Sequence, residues 1–115
     1  MENVKPEITL ADLEKIDIRI GTIKWVDDIP ESDKMVAMTV DFGSFERLIL
    51  VGMKKERQNP NEVEGKQALF VVNLAPRKMF GLVSHGMLFD IGYQDGIVPV
   101  LALPERPVPN GARAG

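Results

Sequence analysis

The apolar residues that open this chain recur at every second position and then change phase. Ile16, Ile18 and Ile20 alternate with Asp17 and Arg19, and after Gly21 the apolar positions become Ile23 and Trp25. A period of two belongs to a strand with one face in a core. A phase slip at a glycine is what a bulge or sharp bend produces. Long, bent first strands are what a small sheet needs to curl into a barrel.

The same period continues downstream. Val36, Met38, Val40 and Phe42 mark a second strand. Arg47 to Met53 reads as a third, apolar enough to be buried on both faces, Gln67 to Val72 as a fourth, Ser84 to Asp90 as a fifth, and Ile97 to Leu103 as a last. Asp27 to Lys34 is a polar loop around Pro30, and Gly43-Ser44 and Asp95-Gly96 mark turns. Thr9-Leu10-Ala11-Asp12 resembles a capping box and opens a short helix, Leu10 to Glu14, within an N-terminal extension over residues 1–15. Pro60 opens a one-turn helix through Val63 that Gly65 ends. Residues 104–115 form a proline-rich, irregular tail. At 115 residues this is a single domain, residues 1–115. Short strands with one small helix between the third and fourth predict an all-β OB-fold barrel; an SH3-like barrel or small sandwich also fits the pattern.

Catalytic chemistry is hard to assemble from this composition. There is no cysteine, hence no thiolate and no disulfide framework, and His85 is the only histidine. A metal site would need mostly carboxylates, and no metal or cofactor is expected. Asp27 and Asp28 are adjacent, so on an extended chain they point to opposite sides. No apolar run approaches a membrane span, and Met1–Glu7 has no hydrophobic core like that of a signal peptide. These features favour a cytoplasmic binding module, not an enzyme.

The net charge is −3, but it is unevenly spread. Between Arg47 and Phe89 there are seven cations and three anions, so the remainder is acidic. Within the basic part, residues 73–88 connect two apolar runs through a stretch longer than a plain turn needs. It carries Arg77 and Lys78 beside Phe80, a mixture suited to backbone phosphates and unstacked bases. An OB-fold places ligands on strands 2 and 3, between the loop after strand 1 and the loop before strand 5. Those loops are Asp27–Lys34 and Leu74–Val83.

The string Asn73-Leu74-x-Pro76-Arg77-Lys78-Met79-x-Gly81-x-x-Ser84-x-Gly86-Met87 resembles the signature of the tRNA-binding domain family. That family includes the C-terminal domain of bacterial methionyl-tRNA synthetase, free-standing dimeric tRNA-binding proteins, the EMAP II-type cytokine domain and the CsaA secretion chaperone. Asp17-Ile18-Arg19-Ile20-Gly21-Thr22-Ile23, Pro30-x-x-Asp33-Lys34, Val40-Asp41-Phe42-Gly43, Val51-Gly52-Met53-Lys54 and Pro109-x-Gly111 agree with it in order and spacing. The resemblance implies a homodimer that binds tRNA by shape and backbone, with Lys34, Lys54, Asn73, Arg77, Lys78, Phe80 and Ser84 as RNA-binding candidates. A further reading of the resemblance is a domain that serves a synthetase in trans. The alternative is a CsaA-like chaperone that binds an unfolded export client on the same surface. Phe80 stands where many relatives carry a second basic residue, and Val51 where serine is common. The N-terminal helix and the tail are the expected dimer elements.

Overall fold

A computed structural model describes residues 3–115. Met1 and Glu2, the first residues of the N-terminal extension read from the sequence, lie outside the described residues. The capping box forms: Thr9 Oγ1 accepts from the Asp12 amide at 3.1 Å, and the Asp12 carboxylate accepts from the Thr9 amide at 3.3 Å. It opens helix α1 (Leu10–Leu13), none of whose residues is buried.

Eight strands follow: β1 (Ile18–Asp28), β2 (Val36–Asp41), β3 (Glu46–Val51), β4 (Gln67–Val71), β5 (Arg77–Met79), β6 (Leu82–Ser84), β7 (Met87–Leu88) and β8 (Arg113–Ala114). The main sheet runs β3-β2-β1-β4-β7, antiparallel throughout. Just before β7, the His85 amide donates to Leu48 O on β3 at 2.9 Å and joins the two ends of the sheet. The result is a nearly closed OB-like barrel. Its interior is filled by Ile23, Val26, Met38, Val40, Phe42, Ile49 and Phe70, with Val63 as a plug from the 3-10 turn Pro60–Val63.

The phase change in β1 is real, but it occurs at Lys24. Ile23 pairs with Val40 and Trp25 with Thr39, so Lys24 is the extra residue of a bulge. Upstream, Arg19 and Gly21 lie opposite Phe70 and Ala68, which are fully buried in the core. Ile18 and Ile20 therefore point to the other side of the sheet, and Val26, not Trp25, continues the interior row. Trp25 is 57% exposed. Gly21 serves close approach: a Cβ there would lie 2.5 Å from Val40 Cγ1 and 2.7 Å from Phe42.

Three other expectations change. Leu74–Val83 is not a plain loop; Arg77–Met79 and Leu82–Ser84 pair as the β5–β6 hairpin, a small second sheet. Residues 97–103 contribute a single bridge, Ile91 to Val100, because Pro99 has no amide to donate to a ladder. The tail is not wholly irregular. Asn110 Oδ1 accepts from Thr22 Oγ1 at 2.8 Å and Gln67 Nε2 at 2.9 Å, Gly111 N donates to Ile20 O at 2.8 Å, and β8 pairs with the start of β1.

Candidate nucleic-acid interface

The hairpin begins at Pro76, which cannot extend β4, and turns at Phe80-Gly81. Their φ values are +54° and +74°, the two positive φ angles of a type I′ turn. Phe80 is the only non-glycine among the described residues with positive φ. The turn holds its ring at the hairpin tip, where it is half exposed.

Pairing across the hairpin decides which side chains share a face. Met79 lies opposite Leu82, Lys78 opposite Val83, and Arg77 opposite Ser84. Met79 and Leu82 cover Ala37, Leu48 and Leu50 on the outer side of β2 and β3, together with Ile29 and Met35 from the loop after β1. The third strand is thus packed on both faces, as its composition suggested. Ser84 is buried on the same side, and its Oγ accepts from the Leu50 amide at 3.0 Å. By the two-residue period, Arg77 shares this inner face and Lys78 the outer one. Adjacent in sequence, the two cations address opposite sides of the ribbon. Both are exposed, and neither forms an ion pair among the described residues.

Lys34 sits in the opposite loop, exposed, and its carbonyl accepts from the Lys54 amide at 3.0 Å. The Lys54 ammonium turns the other way. It donates to Ile29 O at 2.7 Å and Ser32 O at 2.6 Å, and its third partner is the Asp28 carboxylate at 2.7 Å. An ammonium has three protons, so Lys54 is engaged in holding this loop. Asn73 Oδ1 accepts from the Asp17 amide at 2.9 Å and Nδ2 donates to Lys15 O at 2.6 Å, tying the root of the hairpin to the start of β1. Arg77, Lys78 and Phe80 share the hairpin, and Lys34 belongs to the loop whose Ile29 and Met35 pack in the same cluster as the hairpin's Met79 and Leu82, so that hairpin and loop form one ledge. Lys54, Asn73 and Ser84 hold the parts of that ledge in place.

Sequence periodicity placed Trp25 in the core and so missed it here. It lies opposite Thr39, which lies opposite Leu48, in one outward row across β1, β2 and β3. Two strand spacings, about 10 Å, separate it from the strand under the hairpin. Lys24 Nζ stands 5.9 Å from the Trp25 ring and bonds Glu46 at 2.7 Å, which raises the lysine's pKa. The signal that would have found Trp25 is the pairing register. It depends on where the bulge falls.

Residues 18–113 match the model of the tRNA binding domain family, tRNA_bind. The methionine–tRNA ligase of Bacteroides fragilis is 37% identical over 109 residues, 95% of this chain but 16% of that protein, and that of Parabacteroides distasonis matches over the same shares. The chain thus spans about a sixth of the length of these curated relatives. Among solved structures, a MetRS-related protein from Pyrococcus horikoshii superimposes with a TM-score of 0.87 at 34% identity, covering 96% of this chain and all of that one. Chaperone CsaA from Bacillus anthracis gives 0.81 at 26% identity, covering 96% and 100%. The barrel, its hairpin ledge and these matches agree: the chain belongs to the tRNA-binding domain family.

Proposed function

We propose that this chain binds tRNA through the ledge formed by the β5–β6 hairpin, the loop after β1 and the open face around Trp25. The observation that carries this reading is the hairpin itself. It presents unpaired Arg77 and Lys78 on its two faces and an aromatic ring at its tip, in a chain whose net charge is −3. Cations on opposite faces of a narrow ribbon suit a backbone that passes on both sides, and they carry little base specificity. Titrating labelled tRNA against rising salt tests it. Arg77→Ala should weaken binding by about 1–3 kcal/mol and lower the salt slope by roughly one unit or slightly less. Affinity indifferent to both Arg77 and salt would sink the RNA reading.

A chaperone-like reading has its own support in three half-exposed apolar side chains along the hairpin, Leu74, Phe80 and Val83. If an unfolded peptide is the ligand, Phe80→Ala should abolish its binding while Arg77→Ala changes little. Homodimerisation belongs to the same proposal. Helix α1 leaves Leu10 and Leu13 uncovered, and Phe89, Ile91, Val100 and Leu103 are exposed near β7, so a second copy has apolar surface to bury. The module would serve a synthetase in trans, in the cytoplasm, where the lack of cysteine is at home.

A further inference from the structure

At the root of the hairpin, the end of the barrel opens into a cavity of about 380 Å³. Its floor is Phe45. One face of that ring stacks on Phe42, with centroids 5.1 Å apart and planes 21° from parallel. Arg47 and Arg19 lie over the ring, their guanidinium carbons 4.9 Å and 5.9 Å from its centroid. Asp17 grips Arg19 through Nε at 2.9 Å and Nη2 at 3.0 Å, leaving Nη1 unused among the described hydrogen bonds. Arg47 Nη1 donates to Val72 O at 2.9 Å and more weakly to His85 O at 3.4 Å, which leaves Nη2 unused in the same sense. Arg113 lies across from Arg19 in the β1–β8 pair. Three guanidiniums thus face one carboxylate, in a protein that is acidic as a whole. Leu74, Ala75 and His85 form the rim, and Ala75 precedes the Pro76-Arg77 step into the ledge.

A structural core would satisfy these arginines with carboxylates. Here cations outnumber carboxylates, and the donors unused among the described hydrogen bonds belong to arginines that line the cavity beside apolar and ring surface, in a space at the small end of ligand-cavity volumes. We infer that this cavity is a nucleotide subsite. It takes one unstacked nucleotide of bound RNA, with its phosphate on Arg19, Arg47 and Arg113 and its base against Leu74 and His85. This deepens the tRNA-binding reading and rests on it. RNA that follows the ribbon from Phe80 at the tip to Arg77 at the root arrives at this opening.

The test separates the subsite from the wider interface. Ala75 is an exposed rim residue, so Ala75→Trp fills the opening and Ala75→Asp sets a competing carboxylate at it, neither removing a guanidinium. Both variants should lower tRNA affinity about fivefold to a hundredfold, the range of one lost base contact, while the Arg77 dependence persists. In the unaltered protein, 5′-AMP should shift the NMR signals of His85 and Phe45 more than inorganic phosphate at equal concentration, and adenosine should shift them little. The subsite is overturned if tRNA binds both variants as tightly as before while Arg77→Ala still weakens it, or if AMP and phosphate behave alike. Saturation of these signals by a short peptide's terminal carboxylate, with none by AMP, would also overturn it. Loss of both the Ala75 and the Arg77 effects would instead count against tRNA binding as a whole.

Discussion

Lys54 spends its charge inside the protein. Its ammonium binds two carbonyls and a carboxylate of the loop that carries Lys34. Lys54→Met should therefore destabilise the protein by about 1.5–3 kcal/mol, as charge-assisted bonds do when one partner is lost, and leave the salt slope of tRNA binding unchanged. Urea denaturation and salt titration of the same variant check both halves. Trp25 is the only tryptophan, so its fluorescence should be quenched as tRNA binds, and Trp25→Ala should weaken binding by up to one stacking contact. Ionisation acts in both directions. Burial, and then the charge of Asp90, hold the Glu56 carboxyl above its ordinary range, and burial does the same to Asp90. Each binds its proton more tightly folded than unfolded, so its contribution is full below the ordinary carboxylate range and is lost as pH rises through the folded value. Glu56→Gln mimics the protonated form. It should raise the melting temperature at pH 7, with the gain vanishing in acid. Asp17 runs oppositely: hydrogen bonding from Arg19 chiefly lowers its pKa, so that contribution is present above the ordinary range and lost as pH falls through the folded value.

Among the elements, legibility followed how local the determining physics is. The α1 capping box and the Pro60–Val63 turn were readable, since each is set by side chains within a few residues. The β5–β6 hairpin was not. Its turn uses Phe80 at positive φ where Asn or Asp is the usual signal, and its strands exist only because Met79 and Leu82 have Ala37 and Leu50 to cover. The ledge cations were therefore found as a pair in sequence, while their division between two faces needed the register. Trp25 was assigned to the wrong side for the same reason. Phe80→Asn should keep the turn and remove only the ring. Gly81→Ala meets no atom within 4 Å but must hold φ near +74°, so it should cost about 1–2 kcal/mol in the hairpin alone. Hydrogen exchange should localise that loss to residues 77–84 and leave β1 and β4 protected.

For the whole molecule, the tail belongs to the hydrogen bonding of the barrel. It satisfies polar groups on β1 and β4 of its own barrel, so removing residues 108–115 should cost about 2–5 kcal/mol of folding stability. Self-association, in contrast, should respond to Leu10→Asp and Leu13→Asp. Sedimentation of the unaltered chain should give about twice 12.8 kDa, and of the double variant a single chain mass. A persistent monomer of the unaltered protein would remove the dimer from the proposal. The pairing of Ala114 with Ile18 has one more consequence. The barrel's way in and way out are neighbours, one strand spacing apart, about 4.8 Å. A longer polypeptide can therefore carry this unit as an appendix or as a mid-chain insert without stretching either flank. Reconnecting the two ends with a few residues and cutting instead at the exposed Asp95-Gly96 turn should yield a circular permutant with the same circular dichroism spectrum and the same affinity for tRNA.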